Sequence, residues 1–469
     1  MRLFLILFIW SIMPFSLFSS IYTFQKDIEV GKQPLKVIFH EGTGIHVFCD
    51  RYDSNFNGEF EPELGETKSS WWLIPYMQSD TAILLKEFDW DFTFGFSIGY
   101  PLRPALNNGV IYFHTNNGVM PYRLDNAELV EDDIVPIPCN AVSVFENKMY
   151  LSVRHIPEGG WVADTNYVIV YDMTSKTVID TLPAIANVQQ TLCVQRYYPN
   201  KEKYLLVLNE GFMGAGDSKL QVFKINDDSF DLENIIDLGD TGNHIFFNKN
   251  DEIFITMNGS HTVQVISIED FSIKETINLP TSDFDGPREV GAVLEIPLKA
   301  RKEDPTTLSD LSTPIIFISS YSGKVFVYRR GILEDSIDTK GKSEGIYVDP
   351  SGAGFWVANL FQEGTYSPDN RITFYSLNLS VGDKESDNSL FAVYPNPASN
   401  VINISSEKDE IENIELISLQ GKTVFQKQVN KETAYKISLE ALNLPNGLYF
   451  VKIMNGNSIS SFPVLIKSE

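Results

Sequence analysis

The sequence predicts an all-β fold, and three observations lead to it. Four short β-branched and aromatic runs follow one another in residues 241–280, HIFF, EIFITMN, VQVISI and SIKETINL, and polar turn residues separate them. Similar groups of runs recur about every 40 to 50 residues. Helical periodicity is almost absent from Ile21 onward. A four-stranded meander repeated at this spacing is typical of a β-propeller, for which we expect about seven blades, with six to eight possible.

The first 20 residues predict a secretory signal peptide. Arg2 precedes an almost unbroken apolar run over residues 3–18, and Ser19 and Ser20 follow it. An uncleaved membrane anchor is the alternative, because the run approaches the length that spans a bilayer. We therefore expect export from the cytoplasm.

The predicted propeller occupies residues 21–380. Its first unit, residues 21–91, is the least regular, and later copies begin near Tyr100, Pro138, Val188, Thr241, Pro287 and Ser343. A ring of sheets closes when the two chain ends share a blade, and closure hides sheet edges that would otherwise aggregate. We therefore expect residues 371–379 to pair as a strand with the N-terminal segment.

Charge and cysteine content exclude several classes of partner and site. The chain has 37 basic and 62 acidic residues, a net charge of −25, which disfavours nucleic acid and anionic membrane surfaces as partners. Its three cysteines, Cys49, Cys139 and Cys193, show no CxxC spacing, so a thiolate zinc site is not expected.

The sequence changes character after a polar, charged linker at residues 381–390. Residues 391–469 contain strand runs separated by Gly, Pro and Asn turns, a pattern that fits a small antiparallel, Ig-like β-sandwich.

This C-terminal module resembles the type A sorting domain of the type IX secretion system. The matching segments are YPNPA at 394–398, IEL at 414–416 leading to Gly421 and Lys422, LPNGLY at 444–449, and Lys467 near the end. The resemblance implies a sorting signal that the type IX secretion machinery recognises and that is commonly removed after transport. It implies export through the periplasm to the outer-membrane surface or the extracellular space, and no catalytic role for residues 391–469.

The body resembles the secreted YncE-type and surface-layer-type β-propellers, including those with a repeated VLNEG motif, here at residues 207–211. The resemblance implies the fold, but says little about function, because one fold supports many functions.

A possible structural calcium site lies in the first unit. Oxygen-bearing side chains alternate in DSNFNGEFEPE, and the candidate ligands are Asp53, Asn55, Asn57, Glu59 and Glu63. Ca²⁺ takes six to eight oxygen ligands in such loops, but an EF-hand pattern requires an acid where Leu64 stands. A solvated turn is the alternative.

A second candidate site comes from aligning the repeats. Polar residues enter the first strand of each copy, and these strands line the channel of a propeller. We expect them to converge on one rim of the channel and to form a concave ligand-binding mouth there; they are Arg103, Asn140, Gln190, His244, Arg288, Glu289 and Glu344. A rim that is polar only because it is hydrated is the alternative.

We therefore predict a secreted or surface-attached binding or scaffold protein whose ligand is a small molecule, glycan or protein. The alternative is an extracellular hydrolase or lyase with its site in the channel. HExxH and phosphate-binding glycine motifs are absent from the sequence, which favours the binding protein. No cofactor beyond Ca²⁺ is expected.

Overall fold

The computed structural model describes most of the chain. The described residues are 22–75, 79–92, 102–155, 163, 165–196, 201–227, 229–248, 252–294, 314–329, 331–350, 352–377, 391–395, 398–406, 410–418, 423–442, 444–445, 447–455 and 458–466. The predicted signal peptide and linker, and sorting motif residues Gly421, Lys422 and Lys467, lie outside them.

Within these residues the segment 22–377, here called the body, forms seven antiparallel sheets. The strands of the first three sheets, with the N-terminal strand, are β1 (Tyr22–Glu29), β2 (Pro34–His40), β3 (Gly44–Cys49), β4 (Ser69–Ile74), β5 (Ile83–Phe88), β6 (Ala105–Asn107), β7 (Val110–Thr115), β8 (Gly118–Arg123), β9 (Ala141–Phe145), β10 (Lys148–His155), β11 (Thr165–Asp172) and β12 (Thr177–Pro183). Sheet 1 contains β2–β5, sheet 2 contains β6–β8, and sheet 3 contains β9–β12.

The remaining strands of the body continue the same meander. They are β13 (Val188–Arg196), β14 (Glu202–Asn209), β15 (Ser218–Asn226), β16 (Ser229–Gly239), β17 (Gly242–Phe247), β18 (Glu252–Met257), β19 (Thr262–Ser267), β20 (Ile273–Asn278), β21 (Pro287–Leu294), β22 (Pro314–Ser320), β23 (Lys324–Arg329), β24 (Ile332–Asp338), β25 (Gly341–Val348), β26 (Gly354–Gln362) and β27 (Pro368–Leu377). Sheets 4, 5 and 6 contain β13–β16, β17–β20 and β21–β24, and sheet 7 has the order β1-β27-β26-β25.

Sheet 7 joins the two ends of the body. β1 pairs antiparallel with β27, from Tyr22 opposite Leu377 to Glu29 opposite Arg371. The predicted pairing of residues 371–377 with the N-terminal segment is confirmed, while residues 378 and 379 lie outside the described part. The first unit therefore divides: β1 completes the last sheet, and β2–β5 form a sheet of their own.

Hydrophobic clusters connect the sheets in chain order. Leu206 of sheet 4 packs in one cluster with Ile255 of sheet 5, and similar clusters join sheets 2–3, 3–4, 5–6 and 6–7. Sheet 1 contacts sheet 2 through Phe48 and Phe113, whose rings lie 5.1 Å apart, and shares a further cluster with sheet 7. Because both faces of a sheet are covered, every residue of β3 is buried.

The C-terminal module has two sheets that face one core. Its strands are β28 (Phe391–Tyr394), β29 (Val401–Ser406), β30 (Ile411–Ser418), β31 (Thr423–Glu432), β32 (Ala434–Ser438), β33 (Gly447–Asn455) and β34 (Ser458–Ile466). The sheet orders are β28-β29-β32 and β31-β30-β33-β34. Ile402 and Val451 are fully buried between them.

Helices contribute little to the described residues, which contain two short 3-10 turns, Pro62–Leu64 and Glu131–Asp133. A helix with the length and apolar character needed to cross a bilayer does not occur among these residues.

Candidate functional site

A carboxylate of sheet 6 binds cations from two other sheets. Glu289, on β21, is 1% exposed, and its Oε1 accepts hydrogen bonds from Lys36 Nζ at 2.7 Å and Arg103 Nη1 at 2.6 Å. Its Oε2 accepts the backbone N–H of Ile346 at 3.2 Å. Lys36 lies on β2, and Arg103 lies two residues before β6, so Glu289 connects sheets 1, 2, 6 and 7.

The neighbouring residue forms a second buried ion pair. Arg288 donates to Glu344 of β25 through two nitrogens, Nε to Oε2 at 2.7 Å and Nη2 to Oε1 at 3.1 Å. Tyr321 donates its hydroxyl to Glu344 Oε2 at 2.5 Å, and its ring lies 4.5 Å from the Arg288 guanidinium carbon. We call Lys36, Arg103, Arg288, Glu289, Tyr321 and Glu344 the buried charge network.

The network keeps Glu289 and Arg288 ionised despite their burial. Burial alone would raise the pKa of Glu289, but the Lys36 ammonium and the Arg103 guanidinium lower it to about 2. Burial would likewise lower the pKa of Arg288, but Glu344 outweighs it and the pKa is raised. Burial raises the pKa of Tyr321 well above its ordinary value, which keeps the phenol a hydrogen-bond donor.

Two histidines beside the network are held neutral. His244 Nδ1 accepts the backbone N–H of Val290 at 3.4 Å, and burial together with Arg103 lowers the pKa of His244 well below its ordinary value. His114 Nε2 accepts the backbone N–H of Arg103 at 3.1 Å, and burial lowers the pKa of His114 to about 3.

Side chains of sheets 3, 4 and 5 are connected to the buried charge network by hydrogen bonds of Asn243 and Gln189. Asn243 of β17 accepts from Arg103 through its backbone carbonyl at 3.2 Å and donates its side-chain amide to the carbonyl of Arg288 at 3.0 Å. Gln189 donates to Asn243 Oδ1 at 3.5 Å and accepts a bond from Arg154 of β10. Arg154 also pairs with Glu210 at 2.9 Å. Every sheet of the body thus contributes a polar side chain to one connected set.

Five of the seven predicted rim residues come together here: Arg103, His244, Arg288, Glu289 and Glu344. They are between 0% and 7% exposed, so the structure places them in a dry interior and not on a wet rim. This burial is at odds with a rim that is polar only because it is hydrated, and ligand binding at these five positions stays a prediction.

Asn140 and Gln190 lie outside the buried charge network, and each accepts a backbone hydrogen bond from a neighbouring strand. Asn140 Oδ1 accepts the backbone N–H of Arg154 at 3.1 Å. Gln190 Oε1 accepts the backbone N–H of Ile245 at 3.0 Å. Both residues are half-buried.

Sequence reasoning missed Lys36, Tyr321, Arg154 and the pairing role of Glu210. Lys36 had a usable signal, because a lysine inside the apolar run PLKVIF must find a buried partner. The partner itself, Glu289, is too distant in sequence for any local pattern to identify.

The loop between β3 and β4 holds the predicted calcium ligands. Asp53 Oδ2 accepts the N–H of Gly58 at 2.8 Å. The amides of Asn55 and Asn57 both donate to Glu61 Oε2 at 2.7 Å. Asn55 and Asn57 therefore converge on the Glu61 carboxylate, a residue that the sequence prediction did not include.

The other two proposed ligands are placed differently. Glu63 is exposed on the turn Pro62–Leu64, and Glu59 presents its backbone carbonyl to the Arg51 guanidinium. Glu66 stabilises the loop, because its Oε2 accepts the N–H of Glu61 at 2.7 Å. This hydrogen bond lowers the pKa of Glu66. Across the described residues, His, Cys, Asp and Glu side chains form no group of three or more suited to hold a metal.

The charged groups of the buried charge network are paired with one another. The Glu289 and Glu344 carboxylates are both engaged by cations, and Arg288 is held by the two oxygens of one carboxylate. Such an arrangement fixes the sheets relative to one another, because breaking any pair leaves a buried charge without its partner.

Comparison with known proteins identifies the C-terminal module. Residues 392–467 match the family model of the secretion system C-terminal sorting domain. This tail indicates export by the type IX secretion system to the cell surface or the extracellular space, and implies interaction with that machinery. The match does not extend into the body.

Solved structures of low sequence identity resemble the chain. The WD40 β-propeller domain of Doa1 is 11% identical, with a TM-score of 0.46, over 76% of this chain and 98% of that one. PorZ, a bacterial surface component of the type IX secretion system of Porphyromonas gingivalis, is 11% identical, with a TM-score of 0.41, over 92% of this chain and 59% of that one. A search of curated proteins found no match.

Proposed function

We propose that this chain is a surface-delivered binding protein: a seven-bladed β-propeller that carries a ligand-binding face, exported by its C-terminal sorting domain. The sorting domain at residues 392–467 is the observation that carries the proposal. A cleaved signal peptide at residues 1–20 would provide entry to the periplasm, and residues 391–469, as an Ig-like sandwich, would provide passage across the outer membrane.

The seven blades correspond to sheets 1–7. In support, hydrophobic clusters join each sheet to the next, and sheet 7 contacts sheet 1. Strand β1 supplies the outer strand of the blade formed by β25–β27, so one blade contains both ends of the body. A resemblance to secreted YncE-type propellers is compatible with this arrangement and adds a small molecule, a glycan or a protein as possible ligand classes.

Binding is favoured over hydrolysis by the state of the buried carboxylates. A general acid for hydrolysis needs a raised pKa, so that it holds a proton near neutral pH. The pKa of Glu289 is instead lowered to about 2, and Glu344 is engaged by Arg288 and Tyr321. These groups are suited to hold the ring together, so we expect the ligand to bind on the outer loops.

The proposal is tested by deleting residues 391–469 in a host with a type IX secretion system. We expect the full chain at the cell surface or in the medium and the truncated chain in the periplasm, folded and soluble. A fusion of residues 381–469 to an unrelated exported reporter is the matched control and should bring the reporter to the surface. Surface delivery of the truncated chain would contradict the proposal.

A further inference from the structure

Four large apolar side chains project from loops at one end of the strands of sheets 4 to 7. Phe212 and Met213 follow β14, Phe284 precedes β21, and Tyr366 lies between β26 and β27. Their exposed fractions are 38%, 63%, 62% and 52%. Aromatic residues and methionine in such exposed positions are characteristic of protein interfaces.

Contacts between the loops make these residues one continuous surface. The Gly214 N–H donates to the Asp240 carboxylate at 2.9 Å, which joins the loop of Met213 to the turn before β17. The Asp240 N–H donates to Ser260 Oγ at 2.7 Å, which joins that turn to the one after β18.

The surface continues from sheet 5 to sheet 7. Asn258 donates its side-chain amide to the carbonyl of Pro287 at 3.3 Å, beside the loop that carries Phe284. Asp285 in that loop pairs with Lys342 of β25 at 2.7 Å, and Lys342 lies 4.7 Å from the Tyr366 ring centre. We call the surface formed by Phe212, Met213, Phe284 and Tyr366 with their loops the loop arc.

The loop arc is negatively charged. Asp283 and Glu363 are exposed beside Phe284 and Tyr366, and in the described part of the chain they form no salt bridge. Lys342, which lies over the Tyr366 ring, is already paired with Asp285. The whole chain has a net charge of −25, which adds to the local field and repels anionic partners.

We propose that the loop arc is a docking surface for a basic segment of another protein, in which lysine or arginine alternates with apolar residues. Apolar side chains of the segment would pack on Met213 and Phe284, and its cations would face Asp283, Glu363 and the ring of Tyr366. This inference rests on the proposed binding function and names its surface and partner class.

The test uses the purified full chain and a short fluorescent peptide of alternating lysine and leucine. We expect binding that weakens as salt is added, because exposed charges are screened. The triple variant Met213→Ser, Phe284→Ser, Tyr366→Ser should weaken binding about tenfold or more. The matched control, Leu232→Ser, Ile273→Ser, Ile332→Ser, removes three other exposed apolar groups, from outer strands, and should bind as the unmodified chain does.

Charge is tested separately, since an acidic protein attracts basic peptides non-specifically. Asp283→Asn with Glu363→Gln should weaken binding, whereas Glu41→Gln with Asp227→Asn, in turns at the opposite ends of the strands, removes the same charge and should not. Equal loss in both pairs, or equal binding of a glutamate–leucine peptide, would overturn the inference, as would no binding at all. Surface delivery is measured independently, so normal delivery without peptide binding would refute the docking surface alone.

Discussion

Lys36 and Glu289 are 253 residues apart in the sequence, and their Nζ and Oε1 atoms are 2.7 Å apart in the fold. The same carboxylate oxygen binds Arg103, so one buried group connects the first, second and sixth sheets. The contact forms only when sheets distant in sequence are assembled. It therefore contributes to the native arrangement of the whole body and not to any single sheet.

Replacing Glu289 should destabilise the body strongly. Glu289→Gln leaves Lys36 and Arg103 with an uncompensated buried charge, which typically costs about 3–5 kcal/mol in the free energy of unfolding. The pKa of Glu289 is depressed to about 2 in the fold, so its stabilisation is complete above the unfolded value near 4.5 and is lost as the pH falls towards 2. Denaturant unfolding at several pH values would measure both effects.

The control for this variant is an ion pair on the surface. Glu146 pairs with Lys203 at 2.6 Å, and the Glu146 side chain is 54% exposed. Glu146→Gln should leave the unfolding midpoint almost unchanged, because exposed pairs contribute little. If Glu289→Gln is no more damaging than Glu146→Gln, the buried charge network is not what holds the sheets together.

The sequence predicted the repeated strands well because their signal is local. The runs HIFF, EIFITMN, VQVISI and SIKETINL correspond to β17, β18, β19 and β20. It also predicted the β1–β27 pairing, because a ring requires its ends to meet.

The candidate site was predicted less well, for a physical reason. Sequence alignment of the repeats brought Arg288, Glu289 and Glu344 to equivalent positions, but burial depends on how tightly seven sheets approach, which no single repeat encodes. The same applies to Lys36, whose partner lies in a different sheet. In the first unit, the loop between β3 and β4 interrupts the repeat, which explains its irregular pattern.

Acid should weaken the body through two buried histidines. Burial lowers the pKa of His46 to about 4 and that of His114 to about 3, so both remain neutral in the fold while the unfolded chain takes up protons below about 6.5. Stability is therefore lost as the pH falls below 6.5, by about 2 kcal/mol for each histidine between pH 7 and pH 5.

Thermal melting at pH 7 and pH 5 measures this effect. His46 Nδ1 accepts the indole N–H of Trp71 at 3.0 Å, a bond that the amide oxygen of His46→Gln can replace. We expect a smaller decrease in melting temperature for His46→Gln than for the unmodified chain. His155→Gln, which replaces an exposed histidine, is the control, and an equal decrease in all three proteins would refute the assignment.

Calcium should stabilise the loop between β3 and β4 if the sequence prediction is right. Asp53 Oδ2 lies 3.4 Å from Arg51 Nη2, and an ion bound by Asp53, Asn55 and Asn57 would compete with this contact. A chelator should lower the melting temperature, and Asp53→Ala should abolish that response. Glu63→Ala, at an exposed position on the neighbouring turn, should retain it. Melting that is the same with and without chelator would support a solvated turn.

Closure of the proposed ring gives the last prediction. Removing residues 371–469 deletes most of β27, which leaves β1 without its partner and exposes the edge of β26. Unpaired, flat strand edges are templates for aggregation, so this truncated chain should be insoluble.

A chain that ends at Leu377 is the matched control, because it also lacks the linker and the sorting domain but keeps β27 complete. It should be soluble and monomeric, with slow hydrogen exchange at Ile28 and Ile372, two fully or almost fully buried residues that face each other across the pairing. Exchange at these two amides reports the β1–β27 pairing directly, whereas solubility reports only its consequence. Fast exchange at both positions in a soluble, folded control would mean that the chain ends are not what closes the body, and the seven-bladed arrangement would have to be abandoned.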